Sequence, residues 1–143
     1  MIESFDTSVL VAAAVVAHPF HAAAVATVSD VERRGGRATV CSHALAECFA
    51  TLTRLPVRPA ITSLQAERFV LGELVHRFAV EPIRVDDQLS AIRLVIAGGL
   101  TGSAVHDGLH VAVAQRLGAA RLWTFNPRHF LPLWDPEHIV IPA

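Results

Sequence analysis

The sequence predicts an α/β fold, a three-layer α/β/α sandwich built on a mainly parallel central sheet. Three observations carry that expectation. Short apolar runs that read as strands alternate with longer segments whose apolar positions recur at helical intervals. Those helical segments reach ten residues or more, the length of the crossovers that parallel strands need. Gly and Pro punctuate the junctions, and no repeat or low-complexity tract divides the 143 residues. A chain of this length suits one core, so residues 1–143 are expected to form a single domain.

The elements follow in order. Residues 2–6 (IESFD) form a first strand, and TSVLVAA after it turns into a helix that Asp6 is able to cap. Pro19 opens a helix over 19–34, with Ala22, Val25, Val28 and Val31 at helical spacing and Gly35-Gly36 as its stop. A second strand, 38–41 (ATVC), leads to a helix capped by Ser42, its apolar face Leu45, Cys48, Phe49 and Leu52, ending at Pro56. Residues 62–78 read as helix, 79–85 (AVEPIRV) as strand despite Pro82, and 86–97 as helix up to Gly98-Gly99. Ser103 begins a helix to Gly118. Strands at 121–125 (RLWTF) and 138–141 (HIVI) close the chain around a turn-like NPRH.

Composition narrows the function. Hydrophobic residues make up 52% and charged ones 17%, an apolar balance that fits an oligomer interface. His18, Pro19 and His21 break the longest apolar run before it reaches the roughly 18–20 residues of a membrane span. Glu3 and Asp6 stand where a signal peptide would be basic, so a cytoplasmic protein is expected. Cys41 and Cys48 are too few for a disulfide framework and read as core filling. A net charge of −1 gives no basic field toward nucleic acid; all 12 basic residues are arginine, which suits phosphate but equally reflects base composition.

In open parallel sheets the functional crevice lies beyond the carboxyl ends of the strands. Asp6 ends the first strand, Asn126 follows the 121–125 strand, and Glu47 lies in the second turn of the helix leaving the second strand. Asp107 lies in the first turn of the helix before the 121–125 strand. Singly, each has an ordinary role as a cap, a dipole partner, a turn former or a solvated charge. Together, clustered carboxylates raise one another's proton affinity unless a cation offsets them, and a hard ion such as Mg²⁺ or Mn²⁺ is the natural one. Such a site suits phosphodiester hydrolysis.

The stretches DTSVLV, HALAECFATLTRLP, VHDGLHVAVAQRLGA and LWTFNPRHF resemble, in order and spacing, the PIN-domain ribonucleases, and more narrowly the VapC-type toxins of bacterial toxin–antitoxin pairs. The resemblance runs from Asp6 to Phe130. It implies a PIN-like sandwich, an Mg²⁺- or Mn²⁺-dependent endoribonuclease leaving 5′-phosphates, a homodimer, and a cognate antitoxin. Asp6, Glu47 and Asp107 match the family's acidic, metal-holding triad, and Asn126 a fourth catalytic position that is often Asp. Asn there lowers the site's negative charge by one and weakens a second metal more than the first. Ser8 and Thr124 match small hydroxyl residues that orient carboxylates. A single-stranded RNA loop is the implied target, with Arg54, Arg121 and Arg128 as candidate phosphate contacts.

Other readings compete. Zinc is suggested by Cys41-x-His43 with Cys48, by His18-x-x-His21, and by His106 with His110, but none has the paired spacing of a structural zinc site. An Asp6 nucleophile would want a second Asp where Ser8 stands. His110, three residues after Asp107, is read as a surface or packing residue, with a place in the cleft as its alternative. The rival of a different class is a non-catalytic binding or regulatory module on the same fold.

Overall fold

The computed structural model describes residues 1–143. Five strands, β1 (Ile2–Phe5), β2 (Arg37–Cys41), β3 (Ala79–Glu81), β4 (Arg121–Trp123) and β5 (Ile139–Val140), make one sheet in the order β3-β2-β1-β4-β5. Every neighbouring pair is parallel. The chain works outward from β1 in one direction through β2 and β3, then in the other through β4 and β5. The order therefore reverses between β1 and β4, where the crossovers diverge and leave a crevice. Phe5 pairs with Trp123, so the next residues, Asp6 and Thr124, leave the sheet side by side.

Helices cover both faces. α1 (Thr7–Ala14), α2 (His21–Arg33), α3 (His43–Arg54) and α4 (Ser63–Phe69) pack on one side, where Phe5, Val40, Leu10, Val28 and Leu52 share a core. α4 continues through a π-helical turn, Val70–Leu74, into α5 (Val75–Arg77). On the other face α6 (Val85–Ala97) and α7 (Ala104–Arg116) meet Cys41 and Leu122, and α8 (Pro127–Phe130) closes that core with Phe130. Burying a side chain such as Phe5, Leu10 or Leu122 stabilises the fold by about 1.5–3 kcal/mol each.

Two polar devices set where α7 lies. Asp87, buried in the first turn of α6, accepts Nε of Arg116 at 2.9 Å, fastening the far end of α7. At the crossing, a Cβ on Gly108 would stand 3.1 Å from the carbonyl oxygen of Ala91, so the absence of a side chain permits the close approach of α6 and α7. Asp107 precedes that glycine.

Several elements differ from the sequence expectation for identifiable reasons. β3 stops at Glu81 because Pro82 has no N–H for the ladder. The helix expected from Pro19 begins at His21, and the 62–78 helix carries the π turn. Ser42 and Ser103 cap nothing with their side chains: both have helical backbone angles, and Ser42 Oγ instead accepts the Ile83 N–H at 3.2 Å. The strands expected at 121–125 and 138–141 are shorter, though Thr124 N still donates to the Val140 carbonyl at 3.0 Å. No helix is long and apolar enough to cross a membrane.

Candidate active site

A cleft of about 390 Å³ opens at the carboxyl end of the sheet, and Asp6, Glu47, Asp107 and Asn126 all line it. Four residues spread over 120 positions of sequence thus meet because β1, α3, α7 and the β4 exit converge on the switch point.

Asp6 is both cap and cleft residue. Its extended backbone ends β1, and its Oδ1 accepts the Val9 N–H of α1 at 3.2 Å, a cap worth about 0.5–2 kcal/mol. Ser8 Oγ donates to the same oxygen at 2.6 Å, and Thr124 Oγ1 donates to Oδ2 at 2.7 Å. Those hydroxyls in turn accept the backbone N–H groups of Phe125 and Asn126, each at 2.9 Å, so the exit of β4 is tied to the start of α1. Burial pushes the Asp6 carboxyl above its usual range, against the pull of the Ser8 and Thr124 hydrogen bonds.

Glu47 points from the second turn of α3 away from the apolar face. Its Oε1 accepts Thr7 Oγ1 at 2.8 Å and lies 2.7 Å from His110 Nε2. Burial alone would push Glu47 up, but the His110 hydrogen bond and charge outweigh it and hold the carboxyl below its usual range. The same contact outweighs the effect of burial on His110 and holds its imidazole above its usual range. His110 Nδ1 is buried without a hydrogen-bond partner, its ring edge-on to Phe130, so Nε2 alone serves the cleft. Asp107 is raised first by burial, against the opposing charges of His129 and His110, with Asp6 and Glu47 pushing it further up. His129 Nδ1 stands 3.6 Å from its Oδ2.

The arginines divide. Arg128 borders, with His129, a second hollow of about 250 Å³ that shares Asp107 with the main cleft. Arg54 donates back to the Ala50 carbonyl at 3.1 Å and does not line the cleft. Arg121 lies outside the cleft lining: in β4 its guanidinium stands 3.7 Å from the fully buried Glu3, which Arg34 reaches more closely at 3.1 Å, and lies over the Trp123 ring.

The zinc motifs also resolve. His18 Nδ1 accepts the Phe20 N–H at 3.0 Å and His21 Nδ1 pairs with the Ala12 carbonyl at 2.9 Å, so the backbone engages one nitrogen of each ring. Cys41 and Cys48 are buried thiols; burial pushes Cys41 up to about 11 and Cys48 higher still, unlike the thiolates zinc takes. The one group of three or more His, Cys, Asp or Glu donors lying within 4.8 Å of one another is the separate Asp135, Glu137 and His138. The oxygens of Asp6, Glu47 and Asp107 stand further apart, each steered by its own hydroxyl or imidazole.

One cleft residue escaped the sequence reading and another was ranked second in it. Thr7 reads as a helix starter, and only the approach of α3 reveals its bond to Glu47. His110 reads first as a surface or packing residue; its offset of three from Asp107, which shares a helix face, is the signal for the alternative place in the cleft that it takes.

Comparison with known proteins identifies the family and the fold. The PIN domain family matches residues 5–131. Ribonuclease VapC27 of Mycobacterium tuberculosis (strain ATCC 25618 / H37Rv) is 36% identical over 124 residues, spanning 86% of this chain and 83% of that protein. Among solved structures, M. tuberculosis VapC20, a sarcin-ricin loop cleaving toxin, superposes with a TM-score of 0.70 at 17% identity, over 90% of this chain and 93% of that one. VapBC2 from Rickettsia felis, bound to a DNA fragment from its promoter, gives 0.72 at 18% identity over 99% and 98%. A toxin–antitoxin complex from Klebsiella pneumoniae gives 0.68 at 18% over the same shares. These solved structures share the fold.

Proposed function

This chain belongs to the PIN-domain family, and from that premise we propose that it is a divalent-metal-dependent endoribonuclease, the toxin of a toxin–antitoxin pair, with residues 1–143 acting as one domain. One observation carries the chemistry: three carboxylates from three separate stretches, Asp6, Glu47 and Asp107, border one cleft with Asn126 beside them. Their hard oxygens suit Mg²⁺ or Mn²⁺, and burial raises the proton affinities of Asp6 and Asp107, a cost that a bound cation would offset. Bound there, such an ion supplies charge neutralisation at the phosphate and lowers the pKa of water.

The chain's own residues do the positioning. Ser8 and Thr124 fix both oxygens of Asp6, and Thr7 and His110 together fix one oxygen of Glu47, leaving its other oxygen for a ligand. Asn126 contributes a neutral amide oxygen, which favours one tightly held ion over two. Phe20 and Phe125 stack at 4.8 Å along the cleft, giving an unpaired base a ring to lie against. Arg128, beside Asp107, is the phosphate contact best placed for the leaving strand.

The resemblance to VapC27, named a ribonuclease, and to toxin–antitoxin complexes supports RNA as substrate and an antitoxin as partner. The apolar balance of the chain supports a homodimer, and thiols that stay reduced support a cytoplasmic place.

The test is cleavage of a structured RNA by the purified chain with Mg²⁺ or Mn²⁺, against EDTA and Asp107→Asn. Cleavage that needs the ion, leaves 5′-phosphates and drops at least about 100-fold in a folded Asp107→Asn variant supports the assignment. Wild-type rates in that variant refute the triad. Failure of calorimetry to detect binding at millimolar metal favours the non-catalytic module.

A further inference from the structure

The connection from α1 to α2 borders the cleft and puts His18 and Phe20 into its lining. Backbone bonds hold it in place: the His18 N–H donates to the Val15 carbonyl at 2.9 Å and the His21 N–H to the His18 carbonyl at 3.0 Å. His21 Nδ1 donates to the Ala12 carbonyl at 2.9 Å, which fastens the loop back onto α1. Phe20 closes the loop with its ring stacked on Phe125, centroids 4.8 Å apart and planes 17° from parallel. Yet Phe20 is still 51% exposed, so Phe125 covers only part of the ring. The remainder is a flat apolar surface held open in a cleft.

His18 adds a directional group beside it. Its Nδ1 accepts the Phe20 N–H at 3.0 Å, so the neutral ring carries its proton on Nε2, and that N–H is left for a ligand. The His18 and Phe20 centroids lie 5.8 Å apart with the rings tilted by 47°, which gives a flat group lying on Phe20 a donor at its edge. Both purines carry a matching acceptor at N7, and their fused rings cover more of a phenyl face than a pyrimidine does. The place of such a base is tied to the carboxylates. Ser8 Oγ accepts the Phe125 N–H at 2.9 Å and donates to Asp6 Oδ1 at 2.6 Å, so one hydroxyl fixes both the stacking wall and the Asp6 carboxylate.

We propose that His18, Phe20 and Phe125 form a purine subsite that selects the nucleotide beside the scissile phosphate. It rests on RNA being the substrate, as assigned above, and adds which base is read and by which atoms. The base lies against Phe20 and its N7 accepts from His18 Nε2. Phe125 is a positioning residue: it backs Phe20 and ties it to Asp6 through Ser8. Arg128, in the neighbouring hollow beyond Asp107, meets phosphate and reads no base.

The test begins with binding in EDTA, followed by fluorescence anisotropy of short uridine strands that carry one central A, G or C. Wild type is expected to bind the A and G strands about fivefold or more tightly than the C and all-uridine strands. Phe20→Leu keeps an apolar side chain without a flat face and abolishes the preference, whereas Phe20→Trp retains it. His18→Asn still accepts the Phe20 N–H, the turn that Asn favours, but has no atom in the place of Nε2, so the preference shrinks about threefold. Arg128→Ala weakens every strand alike and lowers the slope of log affinity against log salt by about 0.7. With Mg²⁺ and a random-sequence RNA, mapped 5′ ends show a purine at one fixed position beside the cut in wild type and none in Phe20→Leu. A wild type that binds all strands alike, or a preference unchanged in both Phe20→Leu and His18→Asn, overturns the subsite. Absence of cleavage in every protein, with a purine preference that Phe20→Leu abolishes, strikes the ribonuclease assignment and leaves the purine-binding wall standing.

Discussion

Thr124→Val isolates the seam between β1 and β4, because valine keeps the shape of threonine and removes only the hydroxyl. Thr124 is fully buried; its Oγ1 donates to Asp6 Oδ2 at 2.7 Å and accepts the Asn126 N–H at 2.9 Å. Losing the bond to the carboxylate costs about 1.5–3 kcal/mol and leaving the amide unpaired adds about 1 kcal/mol. A total of about 2.5–4 kcal/mol corresponds to a fall of roughly 8–12 °C in a chain of this size. The Asp6 carboxyl, already pushed up by burial, loses one of the two hydroxyl bonds that restrain it, so its proton affinity rises further. Because the cleft needs Asp6 ionised, the acid limb of the pH–rate profile moves to higher pH, and metal affinity falls about 10–100-fold. Thermal melting in EDTA, calorimetry with Mn²⁺ and cleavage rates against pH measure the three effects. Thr27→Val is the control: its hydroxyl donates to the Ala23 carbonyl at 2.9 Å on α2, away from the cleft, and its loss costs no more than about 1 kcal/mol. An unshifted acid limb in a folded Thr124→Val protein refutes the claim that this hydroxyl tunes Asp6.

His110→Ala frees Glu47 and lowers metal affinity about tenfold or more, whereas His110→Gln keeps an N–H for Glu47 and recovers part of the affinity; equal loss in both reduces His110 to packing. The stability owed to this pair has two pH limits. The raised His110 contribution is full below 6.5 and lost as pH rises through its folded value, and the lowered Glu47 contribution is full above 4.5 and lost as pH falls through its folded value. The wild-type advantage over His110→Gln in chemical denaturation is therefore greatest between those values. Asp107 has the opposite sign: its folded proton affinity is raised, so the native state loses stability as pH climbs from 3.8 through the folded value. Metal-free Asp107→Asn at pH 7 melts higher than wild type, and Mg²⁺ raises the melting temperature of wild type alone. A variant that melts below wild type contradicts the cost of burying the Asp107 charge.

Local chemistry made some of this legible in sequence. Asp6 sits where an apolar strand gives way to a capped helix, and both its roles follow from that junction. Alternating strands and helices gave the parallel sheet, and the rule about carboxyl ends then gathered Asp6, Glu47 and Asn126. Asp107 was harder, because the end of the sheet it reaches depends on how α7 crosses α6, set by Gly108 against Ala91 and by Asp87 on Arg116. Arg121 is hard to place for a related reason. Nothing local marks Glu3 as a buried carboxylate, so the register that lays Arg121 beside it is needed to see that the guanidinium sits by Glu3 and Trp123 and not along the cleft. His110 is an ordinary helical histidine until two helices are laid together.

Glu47 is the residue through which these facts connect. Thr7 from α1 and His110 from α7 hold one of its oxygens, while α3 carries the residue itself. The position of this carboxylate is therefore set by three helices at once, so the loss of either partner is expected to move it relative to Asp6 and Asp107 and to lower metal affinity without unfolding the chain.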